Sequence, residues 1–243
     1  MPQVKISDLT DQAREAYNKR MASDPRVKAF ARKIENRTAV YEDAYTFATS
    51  SGETIGDILV RDLMAISPTI ELDAETLHSV IIGALQIDYD SVTDAAGAVQ
   101  KIKNESIGLG VKPIMPDFEP SRARNIQETV LMFKEDPENM ARFFTIRREV
   151  VEHFVNNALH TIDMSVKKNA DYMNKIGITP RPRIVRKSTG DCCEWCSNLE
   201  GSYLYPDETL GTDVFRRHKF CRCTTTYICG KEVENVWAKN KKK

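Results

Sequence analysis

All six cysteines of this 243-residue chain lie between Cys192 and Cys229, and the 191 residues before them contain none. A disulfide framework spreads its cysteines through the chain it staples, so this clustering points to one local site. The residues read Asp191-Cys192-Cys193-Glu194-Trp195-Cys196 and, after a loop, His218-Lys219-Phe220-Cys221-Arg222-Cys223. A Cys-x-x-Cys turn brings two thiolates to one ion, and a second close-set group closes the remaining positions of a tetrahedron at about 2.0 to 2.3 Å. Soft sulfur with one imidazole suits Zn²⁺. The expected ligands are Cys193, Cys196, Cys221 and Cys223, with His218 competing for one place and Cys192 as a substitute. Donors outnumber the four corners, so the centre is expected to close as a structural site does, with no position kept for water.

Other chemistries fit the pattern less well. A redox Cys-x-x-Cys belongs at a thioredoxin-like strand-to-helix junction and needs no second pair. A zinc deaminase needs His-x-Glu with Pro-Cys-x-x-Cys, and neither occurs. Glu152-His153 is not His-Glu-x-x-His, so His78, His153 and His160 read as packing or surface residues. Gly108 and Gly110 lack the third glycine and the preceding strand of a nucleotide-binding loop. A zinc-stapled nuclease remains as an alternative, with His218 as general base among Arg216, Arg217 and Arg222.

The rest of the chain reads as helix. Residues 6 to 36 suit two short helices, with Ser7 and Asp8 as N-caps and a break at Ser23-Asp24-Pro25 that puts proline in a first turn. Apolar spacing of three and four predicts helices over 38–48, 53–66, 74–87 and 89–103, punctuated at Ser51-Gly52, Ser67-Pro68 and Asp73. Gly108, Gly110, Pro113, Pro116 and Pro120 then impose a linker or an ordered arm. Helix resumes over 121–133, and Asp136-Pro137 opens the longest periodic segment, which ends at Gly177. Its stripe runs through Met140, Phe143, Phe144, Val150, Val151, Phe154, Val155, Leu159, Ile162, Val166, Met173 and Ile176. After Thr179-Pro180-Arg181-Pro182 come short β-prone runs at 183–185, 202–205 and 224–228.

The expected organisation is an N-terminal helical region (1–107), an arm plus long helix (108–180), a cysteine-rich zinc knuckle (181–230) and a basic tail (231–243). The fold class is mainly α, with a small zinc-bound β-rich module at the C-terminal side, α+β overall. Lysine and arginine total 35, as do aspartate and glutamate, which removes the argument for a general nucleic-acid coat. No apolar run reaches the 18 to 20 residues or so of a membrane span, and the first 30 residues do not resemble a secretory signal, so a cytosol-like compartment is expected.

The stretch from Ser188 to Gly201, then an aromatic strand, then Arg217-His218-Lys219-Phe220-Cys221-Arg222-Cys223-Thr224 resembles the C-terminal signature of phage minor head proteins, the Mu F-like head morphogenesis family. Members carry a Cys-x-x-Cys, a Leu-x-Gly step and a His-x-x-Cys-Arg-Cys ending, in the order found here. The likeness covers residues 183 to 228. It departs at Lys219, where proline commonly follows the histidine, and in the additional Cys192 and Cys229. The resemblance implies a structural, non-enzymatic virion protein of the phage head, assembled in the host cytoplasm in several copies, with the portal and the major capsid protein as partners. It also implies a role in DNA packaging or delivery. Independently of the resemblance, the charges of Arg216, Arg217, Arg222 and the C-terminal lysines read either as DNA contacts or as cations solvated around the knuckle and tail. A phage-delivered toxin and a cellular zinc-binding adaptor are the remaining readings.

Overall fold

The computed structural model describes residues 6–66, 73–134, 140–189 and 192–229. Within them the chain forms helices α1 (Ile6–Ser23), α2 (Pro25–Glu35), α3 (Tyr41–Ile66), α4 (Ala74–Ser106), α5 (Ala123–Lys134) and α6 (Met140–Lys175). Strand β1 (Arg183–Lys187), the short helix α7 (Glu194–Asn198), β2 (Gly201–Leu204) and β3 (Thr224–Ile228) follow. The protein is therefore mainly helical with one small sheet, as the sequence pattern predicts. Asp24 caps α2 by accepting the Arg26 N–H at 2.7 Å, with Pro25 at the first helical position. Asp73 caps α4 in the same way through Thr76, also at 2.7 Å. Ser7 and Asp8 lie inside the first turn of α1, not at its cap. The Asp136-Pro137 start of the long segment, the side chains of Met140 and Phe143, and the basic tail fall outside the described residues.

Two predicted breaks are absent. Segments 38–48 and 53–66 are one helix, α3, and 74–87 and 89–103 are one helix, α4. Ser51-Gly52 is a crossing point where α3 meets α6, and no turn forms there. A Cβ on Gly52 would sit 2.6 Å from the Val155 Cα, and one on Gly56 2.8 Å from the Val151 Cα. Glycine here lets two backbones approach, at a cost in helix propensity of about 1 kcal/mol. Asp88, at the other supposed break, is fully buried and accepts a hydrogen bond from Ser51 Oγ at 2.5 Å, while Tyr17 of α1 lies 2.7 Å from the same hydroxyl.

Helix α6 has 36 residues, about 54 Å at 1.5 Å per residue, and runs through the whole core. Val150, Phe154, Val155, Leu159, Ile162, Val166 and Met173 are buried along it; Phe144 and Ile176, near its two ends, are exposed. One apolar cluster joins α1, α3, α4, α5 and the first half of α6. The other joins α2, α3, α4 and the second half of α6 to Ile184, Tyr205, Val214, Tyr227 and Cys229 of the sheet region. The arm between α4 and α5 is ordered: Asn169 brackets Ile114, accepting its N–H at 3.0 Å and donating to its carbonyl at 2.7 Å, and the Tyr89 hydroxyl donates to the Pro116 carbonyl at 2.6 Å.

The three strands form in the order β2-β1-β3, antiparallel throughout. Ile184 stands opposite Tyr203 on one side and Tyr227 on the other. Because side chains alternate along a strand, Ile184 and Arg186 project to the same face, and both are buried. The sheet thus packs into the second of the two apolar clusters, and Arg186 on the inner face of β1 looks towards the cysteines.

Candidate metal centre

Local structure brings the two sequence groups together. Cys193 precedes the single turn of α7, where the Ser197 N–H bonds to the Cys193 carbonyl at 3.0 Å, and that turn carries Cys196 back beside it. On the other side, the Cys221 N–H bonds to the His218 carbonyl at 3.2 Å, folding His218 and Cys221 into one tight turn. Phe220 supports that turn with φ = 63°, a left-handed conformation uncommon for a bulky residue. None of the six cysteines is in a disulfide.

The donors form two groups that share Cys196: Cys193, Cys196 and His218, and Cys196, Cys221 and Cys223, with ligand atoms within 4.8 Å of one another in each. His218 Nε2 lies 3.2 Å from the Cys193 Sγ and 3.0 Å from the Cys196 Sγ, and the Cys196 and Cys221 sulfurs are 3.6 Å apart. A tetrahedral centre with metal–sulfur bonds of about 2.3 Å has ligand–ligand edges of about 3.6 to 3.8 Å, close to this spacing. These residues could hold a metal ion. His218 Nδ1 is 2.6 Å from the Lys219 carbonyl, which only accepts, so Nδ1 carries the proton and Nε2 presents its lone pair to the cysteines. Both ring nitrogens are thereby engaged.

Five of the sequence-predicted ligands thus meet: Cys193, Cys196, Cys221, Cys223 and His218. Cys192 packs beside them with Trp195 but joins neither donor group. Cys229 is buried in the core under the sheet. His78 is 2.9 Å from Gln127, and His153 is 3.3 Å from Thr129 of α5. Burial lowers the pKa of both His153 and His160, as packed imidazoles require.

The thiols are electrostatically uneven. A hydrogen bond from Cys223, aided by the Arg217 guanidinium, brings the Cys221 thiol down to about 5. Burial raises Cys196, and the hydrogen bond to Cys221 raises Cys223.

The surrounding arginines hold the ligand loop to α6. Arg217 pairs with buried Asp163, and its Nη2 donates to the Cys223 carbonyl at 2.9 Å. The Tyr45 hydroxyl donates to Asp163 at 2.5 Å and accepts the Thr225 N–H at 3.0 Å, tying α3, α6 and β3 together. Arg222 forms a two-point pair with Glu152, at 2.8 and 2.6 Å, and the Phe220 N–H donates to the same carboxylate at 2.8 Å. Lys219 pairs with Glu149, and Arg148 stacks 4.6 Å above the Phe220 ring. Of the arginines expected to meet DNA, Arg217 is thus spent inside the protein and Arg222 is largely engaged, while Arg216 is exposed and pairs with Asp213 at 3.4 Å. The terminal lysines lie outside the described residues.

Sequence reasoning missed Arg186. It lies on β1, its Nη2 3.9 Å from the Cys196 sulfur and 3.8 Å from that of Cys221, with the guanidinium 5.7 Å from the Trp195 ring. The available signal was its register, two residues after Ile184 on the inward face of a strand.

No protein-family model, curated protein or solved structure matches the chain.

Proposed function

We propose that the chain is a structural minor head protein of a tailed phage or prophage, in which a closed Zn²⁺ centre fixes a C-terminal module onto a long helix. The observation that carries this reading is the gathering of five donors, Cys193, Cys196, Cys221, Cys223 and His218, in two groups that share Cys196. Such an excess favours a closed tetrahedron over a catalytic ion with an open position. The engagement of both His218 nitrogens argues in the same direction, against a general base poised for a nuclease step. A module with only three short strands gains folding free energy from a bound ion, which suits a structural role. The assembly role rests on the order of the Cys-x-x-Cys, Leu-x-Gly and His-x-x-Cys-Arg-Cys elements. On this reading the protein resides in the virion head after assembly in the host cytoplasm, in contact with the portal and the major capsid protein.

Elemental analysis of the purified protein, with a thiol count before and after chelation, tests the centre. About one Zn²⁺ per chain, with thiols that react only after chelation, supports it; no metal and freely reactive thiols overturn it. Co-expression with a tailed-phage portal protein from the same genome tests the assembly role. Co-elution of the two as a complex supports the role, and no association with portal or capsid shells overturns it.

A further inference from the structure

Arg186 is the largest fully buried side chain of the described residues, 1% exposed. Its Nη1 donates to the carbonyls of Val214 and Arg216 at 2.5 and 3.2 Å, its Nε has no partner, and among the described residues no carboxylate pairs with it. A guanidinium does not lose its proton in a protein, and burying one without a counter-charge costs several kcal/mol. The two neighbouring arginines are already balanced, Arg217 by Asp163 and Arg222 by Glu152. One buried positive charge is left over, and its remaining nitrogen, Nη2, faces the sulfurs of Cys196 and Cys221.

The leftover charge constrains what the centre holds. A divalent ion with two thiolates is neutral, with three it carries one negative charge, and with four it carries two. Only the three-thiolate complex balances a single guanidinium, and its fourth donor must then be neutral. His218, whose Nε2 already meets Cys193 and Cys196, is that donor.

We propose that Arg186 is the counter-charge of the occupied centre, which holds its divalent ion as a complex of three thiolates and His218. This rests on the metal-centre reading above and deepens it. Cys196 and Cys221 are the thiolates that Arg186 faces. The third thiolate comes from Cys223, which shares a donor group with Cys196 and Cys221, or from Cys193, which shares one with Cys196 and His218. Arg186 is a positioning residue: it touches no open coordination position, and it acts by making the charged complex stable in a buried place.

The test uses the full chain loaded with Zn²⁺ or Co²⁺. The visible absorption of the cobalt form distinguishes three sulfurs and one nitrogen from four sulfurs. The expected spectrum is the former, kept in one of Cys193→Ser and Cys223→Ser and lost in the other. A metallochromic chelator should strip Zn²⁺ from Arg186→Met at least about tenfold more readily than from wild type, with Arg186→Lys in between. A four-sulfur spectrum overturns the proposal, as does a folded Arg186→Met that retains zinc like the wild type. If Arg186→Met does not fold, the cobalt spectra of wild type, Cys193→Ser and Cys223→Ser decide alone. A wild-type chain that takes up neither ion overturns the metal centre itself, a result distinct from those above.

Discussion

Arg217 lies along the carboxylate of Asp163 with both side chains buried, 4% and 0% exposed, its Nη2 3.0 Å from Oδ1. Burial opposes a charged arginine, but the Asp163 carboxylate and Tyr45 outweigh it, and the Arg217 pKa is raised. A pair like this stabilises little in net terms, yet losing one partner strands a charge in the core. Asp163→Asn should therefore cost about 3 to 5 kcal/mol in urea unfolding. The double change Asp163→Leu with Arg217→Met should recover most of it. Equal losses in the single and double variants would show that packing, not charge, dominates there.

The approach of α3 to α6 at Gly52 leaves no room for a methyl group, because the atoms it would meet are backbone. Gly52→Ala is expected to destabilise by about 2 kcal/mol despite alanine's better helix propensity. Gly97, whose added Cβ would meet only the Met115 sulfur at 3.8 Å, is the control. Gly97→Ala should be neutral or stabilising by denaturant midpoint.

Burial raises the Asp88 carboxyl to about 7, with the Ser51 hydrogen bond opposing the shift. Its folded pKa lies above the unfolded value of about 3.9, so folding favours the protonated form. Its contribution is fully present below pH 4 or so and is lost as pH rises towards about 7, by an amount on the order of 4 kcal/mol. Asp88→Asn should flatten stability over that window and gain on wild type at pH 8. Parallel profiles for the two proteins between pH 5 and 8 would refute this.

Glu152 accepts from both Arg222 and the Phe220 N–H, so it fixes the turn that presents His218 and Cys221. Glu152→Ala should lower stability by about 2 to 4 kcal/mol and speed loss of the proposed zinc ion to a chelator. Zinc loss at the wild-type rate would separate this clamp from the centre.

Chelation should act unevenly along the chain. Hydrogen exchange is expected to speed up in β1, β3 and the His218–Cys221 turn while protection persists where α3 crosses α6 at Gly52. A uniform loss of protection would instead mark a single cooperative unit.

The strands and the candidate cysteine site were legible because their signals are local: short runs of β-branched and aromatic residues after Pro182, and cysteine pairs at close spacing. The helix lengths were not, because Ser51-Gly52 looks like a turn in sequence and becomes a helix crossing only when Val155 packs on it. Arg186 was overlooked for a related reason. An arginine in a strand usually faces water, and only the register with Ile184, together with sulfurs distant in sequence, turns it inward. The apolar stripe of α6 was read as one surface, yet it serves two clusters, with Glu152 along the first stretch and Asp163 along the second gripping the loop of candidate ligands.

The joint between β3 and the helical body also has a meaning in time. Tyr45, Gln100 and Asp163 find their final partners in Thr225, Tyr227 and Arg217, residues made long after α3 and α4. During synthesis the helices leave the ribosome with these polar groups only partly paired, Tyr45 with Asp163 and Gln100 with Tyr41 and Asn104. The nascent chain can therefore complete its interior only when the last strand has emerged, so a ribosome stalled before residue 217 presents an unfinished body to the cell's quality control.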